Sequence, residues 1–141
     1  MSAKEEFLVG QKRQVLNVVA LIEELLARES LSQIDVIALG TLLQNAYTGI
    51  ESILRCLLLM KGSKIEKTEG WHQELLQQSA REGFVSDAEF QALRELLKFR
   101  HLHMHGYAHT LEEARTRKLA APVPKLVREY FDAHRKYFDG K

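Results

Sequence analysis

Cysteine and proline are scarce in this sequence, and each scarcity excludes a class of structure. Cys56 is the one cysteine among 141 residues, which rules out an internal disulfide framework and indicates a reducing compartment. We therefore expect a cytoplasmic protein in which Cys56 is an inert packing residue. The two prolines, Pro122 and Pro124, stand late in the chain, so no proline interrupts a helix before them.

The sequence also lacks a large excess of positive or negative charge, and it lacks long apolar runs. The formal net charge is +1, so the chain as a whole does not indicate a nucleic-acid partner, which must be sought in local charge. The apolar run at 56–60 is far too short to span a membrane, and residues 1–10 are charged where a signal peptide would be apolar. We therefore expect no membrane association. Glycine-rich phosphate loops, nucleophile elbows and Cys-x-x-Cys pairs are absent from the sequence, which does not look like a nucleotidyltransferase.

A spacing of three to four residues between apolar side chains runs through nearly the whole sequence and predicts helices. Their predicted positions are about 5–29, 32–61, 71–81, 86–105, 110–119 and 124–138. The length predicts a single domain over residues 1–141. The predicted fold is all-α, an antiparallel helical bundle with short additional helices.

Three helix starts are marked by pairs of polar side chains three residues apart, the spacing of a capping box. The pairs are Ser32 with Asp35, Ser86 with Glu89, and Thr110 with Glu113. The helix that begins at the first pair carries a broad apolar side, which indicates burial on two sides, in a bundle core or at a subunit interface. Trp71 and Tyr130 are likewise interpreted as core or interface residues.

One arginine, three histidines and a tyrosine fall within residues 100–107. Arg100 continues an apolar line through Leu93 and Leu97, at a position where an apolar residue is expected. A buried arginine is costly unless it is paired or binds an anion. Arg100 is therefore either an anion-binding residue or a structural arginine paired with a buried carboxylate such as Glu51.

A second line on the same predicted helix is basic. Arg94, Lys98, His101 and His105 follow one another at spacings of four, three and four, which puts them close to one side of the helix. This basic stripe leads towards the stretch that contains Arg100. The alternative interpretation is an ordinary solvated face.

The spacing Arg100-x4-His105-x-Tyr107, at the end of a bundle helix, resembles the signature of the HEPN superfamily, and in particular of the HepT-like ribonuclease toxins. Residues 47–55, in the long second helix, also look like the second helix of that family. The resemblance implies a HEPN-like fold and the toxin of a type VII-like toxin–antitoxin system. The antitoxin of such a system is a minimal nucleotidyltransferase of the MntA kind.

The activity that this resemblance implies is a metal-independent endoribonuclease that needs no cofactor. The 2′-hydroxyl of an RNA substrate, a tRNA or an mRNA, attacks the adjacent phosphate and leaves a 2′,3′-cyclic phosphate. His105 then suits proton transfer, and Arg100 suits the negative charge of the phosphorane. His101 or His103 is expected to be an auxiliary acid–base group.

The same resemblance implies the partners. Arg94 and Lys98 of the basic stripe are the predicted RNA contacts. A homodimer would bring two copies of the motif into one cleft. The antitoxin would transfer adenylyl groups from ATP to the hydroxyl of Tyr107, and the added negative charge would block the motif.

Two other functions fit the same residues. The chain could be a non-catalytic helical module that binds a nucleotidyltransferase or presents it with a substrate. Independently of that, Tyr107 could be a packing residue of the bundle. Alternatively, His101, His103, His105 and His109 could share a metal ion, because histidines at i and i+4 can do so. No carboxylate or cysteine stands beside these histidines, so we predict that no metal is bound.

Overall fold

The fold consists of helices throughout the part of the chain that the structure describes. The structure is a computed structural model, and it describes residues 1–102 and 111–139, where no strand occurs. The helices there are α1 Ala3–Leu26, α2 Gln33–Met60, α3 Trp71–Arg81, α4 Asp87–Leu102, α5 Glu113–Ala120, α6 Val123–Ala133 and α7 Arg135–Phe138. The predicted all-α antiparallel bundle with short additional helices is confirmed. Within the same residues, no helix combines the length and the apolar character that crossing a membrane requires.

The long helices α1 and α2 form the most extensive contact of the bundle. α1 contributes buried side chains at helical spacing: Leu8, Val15, Val19, Ile22 and Leu25. The helix begins slightly earlier than predicted because Ser2 caps it. The Ser2 hydroxyl accepts a hydrogen bond from the Glu5 N–H, and the Ser2 N–H donates to the Glu5 carboxylate.

The end of α1 was predicted at residue 29 and lies at Leu26, and a distant side chain explains the difference. The Arg117 guanidinium of α5 donates hydrogen bonds to the carbonyls of Leu26 and Arg28, at 3.3 and 2.7 Å. Carbonyls at a helix C-terminus have no partner within the helix and need one from elsewhere. Because that partner is remote in the sequence, no local pattern indicates where α1 ends.

The central helix is α2, which contacts α1, α3, α4 and α5. Its buried residues are Val36, Leu39, Gly40, Leu43, Ala46, Tyr47, Ile50, Glu51, Ile53, Leu54, Cys56, Leu57 and Leu58. Helices of the same chain therefore cover the broad apolar side, so its breadth alone does not require a second subunit. Cys56 is buried as predicted, and burial raises the pKa of its thiol.

Two of the predicted capping boxes are confirmed, at the starts of α2 and α4. The hydroxyls of Ser32 and Ser86 accept hydrogen bonds from the N–H groups of Asp35 and Glu89, each at 3.1 Å. In return, the N–H group of each serine donates a hydrogen bond to the carboxylate of its partner. The start of α4, the helix that carries Arg100, is thereby fixed by its own sequence.

The start of the fifth helix, predicted at Thr110, lies at Glu113 instead, while the hydrogen bonds predicted between Thr110 and Glu113 stay a prediction. α5 begins at Glu113 and has Glu112 as its N-cap, while Thr110 lies outside the described residues. The Glu113 carboxylate accepts hydrogen bonds from the N–H of Leu31 and from the Arg117 side chain. It is therefore engaged with the turn between α1 and α2 and with its own helix.

The last predicted helix, 124–138, is two helices that meet at His134. The His134 Nδ1 donates to the carbonyl oxygen of Tyr130 at 2.9 Å, near the end of α6. Tyr130, Phe131 and Phe138 are buried against one another, so the prediction of Tyr130 as a core residue is confirmed. Trp71, at the start of α3, is only half-buried.

Candidate functional site

Arg100 stands at the edge of the bundle, near the described end of α4. Leu93 and Leu96 are buried and hold α4 against the core, whereas Arg100 is half-buried. The Nε atom of Arg100 is buried and has no hydrogen-bond partner within the described residues. A buried guanidinium N–H without a partner is costly, which makes Arg100 a candidate for anion binding.

A buried polar cluster, formed by Tyr47, Glu51 and His72, lies between α2 and α3. The Tyr47 hydroxyl donates a hydrogen bond to Glu51 Oε2 at 2.8 Å, and His72 Nδ1 lies 2.6 Å from the same oxygen. Tyr47 is fully buried, and the side chains of Glu51 and His72 are 9% and 26% exposed. The cluster therefore runs from the protein interior at Tyr47 to the surface at His72.

Local geometry explains how these three side chains meet. Tyr47 and Glu51 are four residues apart on α2, so they lie on one side of that helix. Gly70 precedes α3 with a φ of +77°, a backbone conformation that glycine adopts without strain. The ring of His72, in the first turn of α3, lies against Trp71 with 3.9 Å between the ring centroids. The imidazole is thus held on both sides, by Trp71 and by Glu51.

Arg100 is electrostatically linked to this cluster. Burial raises the pKa of Tyr47 well above its ordinary value, and the Glu51 carboxylate raises it further. The positive charge of Arg100 acts on the same hydroxyl in the opposite direction. The charge of Arg100, on α4, therefore acts on the Tyr47 hydroxyl, the most deeply buried group of the cluster.

One of the two alternatives drawn from the sequence is an ion pair between Arg100 and Glu51. The contacts of the Glu51 carboxylate do not include this pair. Glu51 is a buried carboxylate, as that alternative requires. Its hydrogen bonds go to Tyr47 and His72, and none joins it to Arg100 in the described part of the chain. The described residues therefore contain no ion pair between Arg100 and Glu51.

The basic stripe is exposed as far as the structure describes it. Arg94, Lys98 and His101 all lie on the outer side of α4. Lys98 pairs with Glu95 at 3.3 Å, and an exposed pair of this kind holds a side chain only weakly. The cations of the stripe remain accessible to a polyanion.

The remaining motif residues lie outside the described residues. These are His103, His105 and Tyr107, together with His109 of the alternative metal site. The roles predicted for them stay predictions. Within residues 1–102 and 111–139, no group of three or more His, Cys, Asp or Glu side chains could hold a metal ion.

A protein-family model described as "HepT-like protein" matches residues 38–140, which is well over half of the chain. The chain belongs to the HepT-like family. The resemblance that rests on Arg100, His105 and Tyr107 is thereby confirmed at the level of the family. No curated protein and no solved structure was found to match the chain.

In this HepT-like protein, no role is predicted from the sequence for Tyr47 or His72. The signal for Tyr47 is its spacing from Glu51, because two polar side chains at i and i+4 interrupt an otherwise apolar side of α2. His72 offers no such signal. It meets Glu51 only because α3 packs against α2, which is a tertiary contact.

A groove between α4, α5 and α6 is a second feature that the sequence does not predict. Its volume is about 1000 Å³, and its apolar floor includes Phe99 and Leu111. Its charged lining residues are the cations Lys98, Arg115 and Lys118 and the carboxylates Glu95 and Glu112. Lys98 belongs both to this groove and to the basic stripe, so the two surfaces adjoin.

Proposed function

We propose that this HepT-like protein is the ribonuclease toxin of a type VII-like toxin–antitoxin system, acting on RNA in the cytoplasm without a metal ion. Family membership supports the class of protein. The observation that carries the proposal is the half-buried Arg100, whose Nε has no hydrogen-bond partner among the described residues. A guanidinium that forms no ion pair with any described residue is suited to a phosphate.

The proposed reaction is a transesterification. The 2′-oxygen of RNA forms a bond to the adjacent phosphorus, and the bond from phosphorus to the 5′-oxygen breaks. The products are a 2′,3′-cyclic phosphate and a free 5′-hydroxyl. Arg100 stabilises the extra negative charge of the phosphorane, and His105 takes part in proton transfer.

The RNA backbone is proposed to follow the cations of α4. Arg94 and Lys98 are exposed there, and the cations Arg115 and Lys118 stand in the neighbouring groove, beside the carboxylate of Glu112. Single-stranded RNA binds to such surfaces through phosphate contacts and through stacking of bases on aromatic rings. Phe99, in the floor of the groove, is a ring of this kind.

Assembly and control are proposed on the basis of the family. Two chains would form a homodimer with their motifs in one cleft. A minimal nucleotidyltransferase antitoxin would use ATP to adenylylate Tyr107. The phosphodiester charge would then pair with Arg100 and occupy the position of the RNA phosphate.

The test of the ribonuclease is cleavage of RNA by the purified protein and its Arg100→Ala variant. We expect Arg100→Ala to lose a factor on the order of 10²–10⁴ in rate, because a charge-stabilising group is removed. Arg13→Ala, which removes an exposed arginine of α1, is the matched control and should cleave like the wild type. Cleavage should persist in EDTA. Full activity of Arg100→Ala, or restoration by zinc of activity lost in EDTA, would contradict the proposal.

The test of control is intact-mass analysis after incubation with the nucleotidyltransferase and ATP. Increments of one or more AMP units should appear on the wild type and vanish in Tyr107→Phe, while Tyr137→Phe should still acquire them. Increments that persist in Tyr107→Phe would refute the modification site. A stable complex with the nucleotidyltransferase, without any RNA cleavage, would favour the non-catalytic module instead.

A further inference from the structure

The contact between His72 and Glu51 has the form of an acid–base unit. An ionised carboxylate can only accept hydrogen bonds, so at 2.6 Å the Nδ1 of His72 carries the hydrogen. The other ring nitrogen, Nε2, then either holds a proton or accepts one. A carboxylate that orients a histidine in this way is the arrangement by which enzymes prepare an imidazole for proton transfer.

We propose that His72 is the general acid of RNA cleavage, and that Glu51 and Tyr47 are its positioning residues. The proposal rests on the ribonuclease function proposed above and deepens it. It assigns the second proton transfer to a described residue that lies outside the Arg-x4-His-x-Tyr motif. The site consists of His72 at the surface with Glu51 and Tyr47 beneath it, on two helices that both contact α4, the helix of Arg100.

The reaction requires two proton transfers. One proton leaves the 2′-hydroxyl as its oxygen attacks phosphorus, and His105 is the sequence-based candidate to accept it. The other proton must reach the 5′-oxygen as its bond to phosphorus breaks. A protonated His72 gives that proton from Nε2 and becomes neutral, and solvent restores both histidines to their starting states.

The surroundings of His72 favour it over the other described histidines. The Glu51 carboxylate accepts the Nδ1 hydrogen of His72 and so leaves Nε2 for proton transfer, and the Tyr47 hydroxyl donates to the same carboxylate oxygen. Within the described residues, His134 donates from Nδ1 to a backbone carbonyl, and no carboxylate orients it. His101, the auxiliary group predicted from the motif, is exposed on α4.

A purely structural role for His72 makes a different prediction. If the residue only ties α3 to α2, then any side chain that donates a hydrogen bond to Glu51 will replace it. Asparagine does so, because its amide nitrogen occupies the position of the imidazole Nδ1 but cannot transfer a proton. His72→Asn therefore separates the two roles, and thermal unfolding shows whether the fold is retained.

The experiment compares two RNA substrates, an ordinary one and one with sulfur in place of the bridging 5′-oxygen. A thiolate leaves without being protonated, so the second substrate needs no general acid. His72→Asn should lose a factor on the order of 10²–10⁴ on ordinary RNA and less than about tenfold on the sulfur substrate. His105→Ala should be slow on both. His134→Asn is the matched control and should cleave both substrates like the wild type.

Two outcomes overturn the assignment. One is a folded His72→Asn that cleaves ordinary RNA at the wild-type rate, since the histidine is then structural. The other is a loss that is equally large on the sulfur substrate, since the residue is then not the acid. If His72→Asn does not fold, the cleavage rates of His72→Gln on the same two substrates are compared instead. A wild-type protein that cleaves neither substrate refutes the ribonuclease proposal itself, which is a separate result.

Discussion

On the side that faces α1, helix α2 approaches its neighbour so closely that Gly49 has no room for a side chain. A Cβ atom there would lie 2.5 Å from Cγ2 of Val15. On the side that faces α3, the same helix holds a buried carboxylate, Glu51, with hydrogen bonds to Tyr47 and His72. The first side is apolar and tightly packed, and the second is polar and reaches the surface.

The difference indicates which side serves stability and which serves function. Apolar contact stabilises the fold without further requirements. Burial of a carboxylate costs free energy that hydrogen bonds only partly offset, and an apolar replacement of similar volume is often as stable. A polar cluster beside Arg100 is therefore better explained by chemistry than by packing.

The largest effect on stability is expected on the apolar side, at Ile22 of α1. Ile22 is fully buried, so Ile22→Ala removes buried methyl groups and leaves a cavity, at a cost of about 2–5 kcal/mol in the free energy of unfolding. The control is its neighbour Leu21, which is 49% exposed, and Leu21→Ala should stay within about 0.5 kcal/mol of the wild type. Chemical denaturation measures both. Equal effects would mean that α1 does not pack through Ile22.

Two tyrosines give the next comparison. The Tyr47 hydroxyl donates to a carboxylate, whereas the buried Tyr130 hydroxyl has no hydrogen-bond partner among the described residues. Tyr47→Phe should therefore cost about 1.5–3 kcal/mol, while Tyr130→Phe should be neutral or slightly stabilising. Denaturation of the two variants side by side checks this. The reverse order would show that the polar cluster contributes nothing to stability.

Gly49→Ala tests the close approach of α1 and α2. Alanine is the better helix former, but its Cβ meets the β-branched Val15, which has little freedom to move. We expect a net loss of about 1–3 kcal/mol. Gly10 is the matched control, since a Cβ there meets nothing within 4 Å, and Gly10→Ala should gain about 0.5–1 kcal/mol. A stabilising Gly49→Ala would show that the helices can separate at no cost.

Alkaline pH should act on both tyrosines together. Burial raises the pKa of Tyr47 and of Tyr130 above the ordinary value of 10.0. Above about pH 10 the unfolded chain releases these phenolic protons, whereas the folded chain keeps them. The free energy of unfolding therefore falls as pH rises, by about 1.4 kcal/mol per pH unit for each tyrosine. Absorbance at 295 nm should show both phenols ionising only as the protein unfolds. Their ionisation in the folded protein near pH 10 would contradict the burial.

Local signals predicted the parts of this fold that local interactions determine. The starts of α2 and α4 follow from Ser32 and Ser86, which bond to residues three positions away. The end of α1 depends on Arg117 of α5, and the break at His134 has neither glycine nor proline to mark it. Features fixed by distant contacts are therefore those that the sequence does not predict.

The residues of the candidate site also separate into those that local signals predict and those that depend on distant contacts. The motif spacing indicated Arg100 and the HepT-like family, because it is contained in one short stretch. Glu51 was anticipated as a buried carboxylate, but its partners were not. Its contact with His72 joins residues 21 positions apart on different helices, and a periodic pattern carries no information about such a pair.

The most direct test of this account measures stability and RNA cleavage on two variants, one from each side of α2. Gly49→Ala should lower the midpoint of unfolding and leave the cleavage rate per folded molecule within about twofold of the wild type. Glu51→Gln keeps a hydrogen-bonding side chain but removes the charge that orients His72, so cleavage should fall by a factor on the order of 10² or more, a larger loss than its change in stability explains. Wild-type cleavage by Glu51→Gln, or losses of activity that simply follow stability in both variants, would contradict the division of α2 into a packing side and a functional side.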